Sequence, residues 1–361
     1  MMDLYTRSIE IILANQHPGG AYVACPNFPT YRYCWFRDAS FVAYAMDLAG
    51  EHDSATRFHT WAARAVNARA GVVQRALVRA AAGLPLTEND VLHTRLALDG
   101  QDGTHEEWAN FQLDGFGTWL WALEQHRSLS GQPLPPDWQQ AAGLAADYLA
   151  GLWLRPNYDC WEEFGDVVHP HTLAAIYGGL RAYDQASPHP QRFTATLAAI
   201  REMIEQRFVF AGHFVKFPGQ PEVDASLLGL AVPYGVFDPL DARMAATAAE
   251  IEHTLRRGGG VHRYPADTYY GGGEWLLLTA WLGWYYTACG KLNPQAGWAE
   301  KAAGLLRWVE AQAAPDGSLP EQAPANLNHP SYYPGWVQRW GPIATPLLWS
   351  HAKYVILRKM L

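Results

Sequence analysis

The chain has 361 residues, 49% of them hydrophobic and 17% charged, a composition that builds a compact globule with a sizeable core and excludes a disordered chain. Its net charge is −8 and no Lys/Arg block stands out, so neither nucleic acid nor an anionic membrane surface is expected as a partner. Aromatic residues reach 13%, with 16 Trp, and their flat apolar faces with polar tips suit stacking on sugar rings as well as filling a core.

In chain order, "MMDLYTRSIEIILANQ" sets Asp3, Arg7 and Glu10 among apolar residues, which predicts an amphipathic helix over 3–15 and no signal peptide. "YRYCWFRDAS", Tyr31 to Ser40, then crowds two tyrosines, a tryptophan, two arginines and an aspartate ahead of an apolar run. Read alone, it is either an ion pair packed under Trp35 or the wall of a pocket for a polyhydroxylated ligand. From there two series of helices alternate. One series starts after loops loaded with aromatics and acids, near Asp38, Asp114, His169, Asp224, Glu274 and Gly341. The other is amphipathic, over 53–68, 137–152, 190–208, 239–256 and 295–313, with 3–15 as its sixth member. Steps of 76, 55, 55, 50 and 67 residues separate the first-series starts, each about a helix pair with its loops. "WLLLTAWLGWYY" and "TPLLWSHAKYVIL" are apolar nearly all round, as buried inner helices should be. Six helix pairs closed into a double ring, an all-α (α/α)6 helical barrel, account for both series. The segment 70–104 is an excursion outside that scheme. No glycine- or proline-rich linker divides the chain, so 1–361 is expected to be a single domain. No run of 18 apolar residues predicts a membrane span. The four cysteines lack CxxC spacing, which argues against a zinc site or a disulfide framework and for a cytoplasmic location. His169 and His171 lack a third ligand at useful spacing, so no metal and no cofactor are expected.

The loops ahead of the first series carry the chemistry. If those helices run parallel, their N-termini meet at one end, where unpaired N–H groups and helix dipoles favour acidic side chains. The loops there are "YRYCWFRD", "NFQLDGFG", "YDCWEEFGDVVHPH", "FPGQPEVDAS", "HRYPADTYYGGGEW" and "GSLPEQ". A lone aspartate at such a place, Asp224 for example, reads as an N-cap. Six loops sharing carboxylates, tryptophans, tyrosines and arginines read as a carbohydrate pocket.

These stretches resemble, in order and along nearly the whole chain, glycoside hydrolase family 15, the glucoamylases and glucodextranases. "YRYCWFRDA" is similar to that family's Tyr-x-Tyr-x-Trp-x-Arg-Asp, "QLDGFG" to its Gln-x-Asp-x-(aromatic)-Gly and "CWEE" to its Trp-Glu-Glu. "DASLLGL", "RYPADTYYGG" with Trp275, and "LPEQ" complete the series. The resemblance implies an inverting hydrolase that releases one glucose at a time from a non-reducing end. It makes Glu162 the general acid and Glu321 the general base. Arg37 and Asp38 would hold the hydroxyls of the terminal glucose between Tyr31, Trp35 and Trp161, with Gln112 and Asp114 from "QLDGFG" in the same pocket. Arg263, Asp267, Tyr269, Tyr270 and Trp275 resemble further substrate contacts, and Glu163 the carboxylate bordering the aglycone side.

Inverting hydrolysis requires two carboxyls, one protonated beside the leaving oxygen and one ionised across the ring, roughly 6.5–9.5 Å apart. Glu162 follows Trp161 and precedes another carboxylate, surroundings in which a carboxyl keeps its proton. The chain also departs from the family pattern. "FGDVVHPH" replaces the residues that usually follow Trp-Glu-Glu in bacterial members. Glu274 stands where a proline is common, which predicts an extra carboxylate near the site. The substrate expected is a small α-glucoside, α-1,6-linked first, as in isomaltose, and α-1,4-linked next. A trehalase, a phosphorolytic barrel enzyme and a non-catalytic sugar-binding barrel are the competing readings.

Overall fold

The computed structural model describes residues 3–103, 108–187, 191–294 and 297–361. Their helices, in chain order, are α1 (Leu4–Ala14), α2 (Phe36–Ala49), α3 (His52–Asn67), α4 (Ala70–Ala81), α5 (Asp114–Ser130), α6 (Pro136–Leu152) and α7 (Pro170–Ala186). They continue with α8 (Thr194–Arg207), α9 (Ala242–Leu255), α10 (Leu276–Leu292), α11 (Trp298–Ala311), α12 (Tyr333–Trp340) and α13 (Leu348–Met360). Short antiparallel pairs join β1 (Cys34–Trp35) to β2 (Arg95–Leu96), β3 (Val209–Phe210) to β4 (His213–Phe214), and β5 (Glu274–Trp275) to β6 (Gln322–Ala323). No helix among the described residues is long and apolar enough to cross a membrane.

The amphipathic series is present within a few residues of its expected bounds, as α1, α3, α6, α8, α9 and α11. Expected positions 190, 295 and 296 lie outside the described residues. In the other series α2, α5, α7 and α10 open near Asp38, Asp114, His169 and Glu274. The remaining two differ. Asp224 caps a six-residue 3-10 helix, Ala225–Leu230, by accepting from the Ser226 N–H at 2.8 Å. Pro233 follows, and a residue without an N–H cannot carry that turn on as an α-helix. The last helix opens at Leu348 rather than near Gly341, because Pro342 and Pro346 push the residues before them towards extended backbone. The excursion 70–104, whose position 104 lies outside the described residues, contributes α4 and then β2.

The chain divides into two compact units, one holding Gln16–Val23 and Tyr33–Gln206, the other Met1–Asn15, Ala24–Arg32 and Arg207–Leu361. In the first, twelve of the fourteen residues of α2 are buried, so this helix is packed on every side. Helix α5 packs against both α2 and α7. Two glycines set that second contact: a Cβ on Gly117 would lie 2.4 Å from the Ala175 carbonyl oxygen, and one on Gly179 would lie 2.5 Å from the Gly117 oxygen. Only glycine lets the two backbones meet so closely. Helix α3 lays its apolar stripe on α6 and α2.

In the other unit α10, the apolar "LLLTAWLGWYYTACGKL", packs against α11 and α13. A lysine in the buried face of α13 is accounted for by an aromatic partner: Lys353 Nζ lies 3.4 Å from the centre of the Trp281 ring. His351, also on α13, accepts from the Leu319 N–H at 3.0 Å and meets Ser8 Oγ at 2.9 Å, which ties α1 to α13. Burial pushes this imidazole down to about 3, so it stays neutral.

Candidate active site

In the first unit the site residues gather at the N-terminal ends of α2 and α5 and in the loop between α6 and α7. That loop is wound around Asp159. Its Oδ1 accepts from the N–H groups of Trp161 at 2.9 Å and Glu163 at 3.0 Å, while its own N–H donates to the Glu163 carbonyl at 2.9 Å. Glu162 sits at the apex with φ +68°, a left-handed conformation that costs a non-glycine residue energy and persists only where its surroundings impose it. Its side chain is fixed as well: Trp35 Nε1 donates to Glu162 Oε1 at 2.6 Å. His169 reaches back from the start of α7 to the Phe164 carbonyl at 2.9 Å, a structural role for a residue of "HPH".

Trp35 is positioned by residues that no local motif marked. The β1–β2 pair sets Trp35 opposite Arg95, and the buried Arg95 guanidinium lies 3.6 Å from the Trp108 ring centre, 4.3 Å from Tyr33 and 5.6 Å from Trp35. Such stacking holds a cation and three rings in one arrangement. The excursion thus ends by buttressing the indole that holds Glu162. The strand register brings Arg95 to Trp35, and Trp108 meets the same indole edge-on at 6.0 Å; these are contacts between residues far apart in the chain, so neither Arg95 nor Trp108 had a signal in the sequence beyond its own residue type.

Arg37 and Asp38 open α2. Arg37 Nη1 donates to Gln112 Oε1 at 3.0 Å and to Asp114 Oδ2 at 3.2 Å, and Arg37 Nε is 3.2 Å from Asp38 Oδ2. One guanidinium therefore serves two carboxylates. Asp38 Oδ2 has no hydrogen bond within the described residues, and neither has Asp114 Oδ1. Burial pushes the Asp38 carboxyl up to about 6; Arg37 opposes this, and the charges of Glu162 and Asp114 add to it. His171 Nε2 lies 4.0 Å from Asp114 Oδ2. Trp161 is buried, and Glu162 and Glu163 are half-buried.

In the second unit, Arg263 and Asp267 form a two-pronged pair, with Nε donating to Oδ2 at 2.8 Å and Nη2 donating to Oδ1. The Tyr269 N–H also donates to Asp267 Oδ1 at 2.9 Å. The guanidinium lies 5.1 Å from the Trp275 ring and 5.4 Å from Tyr269. Tyr31 and Tyr269 join hydroxyl to hydroxyl at 2.9 Å. Tyr270, at φ +46°, sends its hydroxyl to the Gly341 carbonyl at 2.9 Å. Trp336 of α12, another residue the motifs did not mark, meets Tyr269 edge-on at 4.9 Å and stacks on Tyr270 at 5.9 Å. The β5–β6 register pairs Trp275 with Gln322, and Glu321 immediately before it is 3% exposed, its N–H donating to the Ala344 carbonyl at 2.9 Å. Burial, with the charge of Glu321 added, raises Tyr269 well above the usual phenol range and Tyr270 to about 12. Both hydroxyls stay protonated and able to donate.

Glu274, the extra carboxylate that the sequence sets beside Trp275, is engaged within the fold. It is 1% exposed, and its Oε1 accepts from the N–H groups of Gly258 at 2.8 Å and Gly260 at 3.0 Å while Asn326 Nδ2 donates to Oε2 at 3.2 Å. It staples a glycine turn. Asp224, likewise, is engaged by Lys216 at 2.6 Å; burial opposes its ionisation, but Lys216 and Ser226 overcome this and hold the carboxyl below its usual range.

The family model described as "Glycosyl hydrolases family 15" matches residues 1–303. The chain belongs to glycosyl hydrolase family 15. It is 42% identical over 361 residues to the isomaltose glucohydrolase of Kribbella flavida, a match covering 98% of this chain and 91% of that protein. A glycosidase variant solved in complex with glucose is 41% identical, with a TM-score of 0.93 over 99% of this chain and 96% of its own. A bacterial glucoamylase complexed with acarbose shares the fold at 21% identity, with a TM-score of 0.74 over 99% of this chain and 55% of its own. The chain is thus a glycoside hydrolase of the all-α, (α/α)6 helical-barrel class.

Proposed function

We propose that this family 15 enzyme is an inverting, exo-acting α-glucosidase that releases β-glucose from short α-linked gluco-oligosaccharides, isomaltose first. The substrate class is supported by the 42% identity to an isomaltose glucohydrolase across almost the whole of both chains. The observation that carries the residue assignment is Glu162, strained at φ +68° and gripped by Trp35 at 2.6 Å beside the Arg37–Asp38 pair. Strain of that kind concentrates at functional positions, where the surroundings hold a reacting group in place.

In this reading Glu162 donates its proton to the glycosidic oxygen as the bond to the anomeric carbon breaks. Glu321 takes a proton from the attacking water, which adds to the opposite face and inverts the centre. Asp38 and Asp114 accept hydrogen bonds from sugar hydroxyls, and Arg37 donates, held in register by Gln112. Trp35, Trp161 and Tyr31 supply apolar walls, Tyr269 and Tyr270 remain donors, and Glu163 borders the leaving sugar. Residues 1–361 act as one catalytic domain. The four buried cysteines, Cys25, Cys34, Cys160 and Cys289, form no disulfide and support a reducing, cytoplasmic setting, and a net charge of −8 supports a neutral sugar over a polyanionic partner.

Glu162→Gln and Glu321→Gln are each expected to lower kcat by about 10²–10⁴-fold, the usual worth of general acid or base help, with the circular dichroism spectrum unchanged. Proton NMR of wild-type turnover should show the β-anomer first, and kcat/KM should rank isomaltose above maltose, trehalose and longer oligomers. Near-normal turnover in either variant removes that residue from its role, and early α-glucose overturns inversion.

A further inference from the structure

At the end of α2 and α5 away from the clamp, three buried side chains converge from three helices: Asp47 on α2, His59 on α3 and His126 on α5. Asp47 is nine residues beyond Asp38 and His126 twelve beyond Asp114, which is ~14 and ~18 Å along the two helices. The group is therefore no part of the sugar site. One ligand-capable atom from each residue lies within 4.8 Å of the others.

Two of the three are already paired. His126 Nδ1 is 2.9 and 3.0 Å from the Asp47 oxygens, and His126 Nε2 is 3.3 Å from Thr56 Oγ1. His52 Nδ1 meets Asp47 Oδ1 at 2.8 Å. His59 is different. It is fully buried, and neither ring nitrogen has a hydrogen-bond partner, although buried polar groups are as a rule satisfied. Its ring neighbours are Phe58 at 5.2 Å, His126 at 5.0 Å and Trp138 at 5.6 Å, so the space beside it is walled by aromatic carbon. A histidine that only filled this core would be replaceable by a leucine with gain, and no other described residue answers its nitrogens. A carboxylate and a second imidazole lie within reach of the same point.

We propose that Asp47, His59 and His126 form a structural site for one divalent transition ion, zinc in the first instance. Two imidazoles and a carboxylate, with one position left for water, match zinc's preferred ligands and tetrahedral coordination. Calcium and magnesium call for more oxygen donors, and copper(I) for sulfur. Bonds of about 2.0–2.1 Å set neighbouring donors ~3.4 Å apart, so the three side chains close by about an ångström around the ion. His52, on the Asp47 oxygen, orients the carboxylate from outside. The ion would clasp α2, α3 and α5 together at the end opposite the clamp.

The test uses untagged full-length protein stripped with a chelator and titrated with zinc chloride by calorimetry and with cobalt(II) chloride by absorption. The expected result is one ion per chain, an intense tetrahedral cobalt spectrum, and a rise in Tm at saturating zinc, because a ligand that binds only the folded state stabilises it. His59→Leu should keep its fold and glucose-releasing activity, lose binding at least tenfold and lose the zinc-dependent rise in Tm. Absence of saturable binding to the wild type, a weak octahedral cobalt spectrum, or equal binding by His59→Leu overturns the proposal. If His59→Leu does not fold, the stoichiometry and spectrum of the wild type decide.

Discussion

Two arginine–aspartate pairs, Arg37–Asp38 and Arg263–Asp267, look alike in the sequence and are built differently. Asp267 is fully buried, and both its oxygens are engaged by Arg263, with the Tyr269 N–H added to one of them. That pair is closed. Arg37 is divided among Asp38, Asp114 and Gln112, and Asp38 Oδ2 and Asp114 Oδ1 have no hydrogen bond within the described residues. That pair is open. An open pair retains acceptor capacity for a ligand and bears the cost in a carboxyl that resists ionisation. A closed pair spends its capacity on holding a loop, here the one that presents Tyr269, Tyr270 and Trp275. The likeness of motif conceals a difference between a pair with carboxylate acceptors to spare and one whose acceptors are all engaged.

The largest expected effect comes from breaking the closed pair. Asp267→Asn removes the carboxylate that engages two nitrogens of the buried Arg263 guanidinium, and removing one partner of a buried ion pair costs about 3–5 kcal/mol. Thermal and urea denaturation should show Tm and the urea midpoint falling together, while the protein that remains folded binds glucose within a few-fold of wild type. A variant as stable as wild type with glucose affinity lost a hundredfold would show that Asp267 grips substrate instead.

Asp38→Asn should do the reverse. It removes a charge-assisted acceptor, worth about 1.5–3 kcal/mol, so kcat/KM should fall roughly 10–100-fold while Tm changes little near neutral pH. The pH dependence sharpens the point. With its folded pKa raised to about 6 above an unfolded value near 3.9, Asp38 binds a proton more readily in the folded state. Its contribution therefore favours folding most at acid pH and is lost as pH rises through 6, a swing on the order of 3 kcal/mol. Binding runs the other way, because the ionised carboxylate is the better acceptor. The glucose inhibition constant of the wild type should weaken as pH falls below about 6, and that limb should be missing in Asp38→Asn. A flat profile in the wild type would remove Asp38 from the clamp.

The same contrast explains what could be read from the sequence. Helix periodicity is a local property, so the amphipathic series and the apolar α10 and α13 were legible, and their bounds shifted mainly where Pro233, Pro342 and Pro346 intervene. The motif loops were legible as residue types, which is why Glu162, Glu321, Arg37 and Asp38 could be put forward as candidates. What each carboxylate does is decided by partners distant in the chain. Glu274 satisfies Gly258, Gly260 and Asn326, and nothing in "GGGEW" distinguishes that from a residue facing substrate. Arg95 reaches Trp35 through the strand register and Trp108 through an edge-on ring contact at 6.0 Å. Asp47, His59 and His126 come from three helices at spacings that match no ligand motif, so the sequence pointed to no metal there.

The smallest expected effect lies where the open pair meets the acid. Trp35→Phe keeps a ring for Arg95 to stack on and removes only the Nε1 donor at 2.6 Å from Glu162 Oε1. A single neutral donor is worth a net 0.5–1.5 kcal/mol or somewhat more when its acceptor is charged, so about a 3–15-fold loss is expected. On the roles proposed above the bond orients the acid rather than the sugar, so the loss should fall on kcat, with KM on isomaltose moving less than twofold. The strained φ at Glu162 is imposed by Asp159 and the loop backbone, not by the indole, so the variant should also keep its Tm. If KM rises while kcat holds, Trp35 acts as a wall for the glucose ring and Glu162 is aimed by its loop alone.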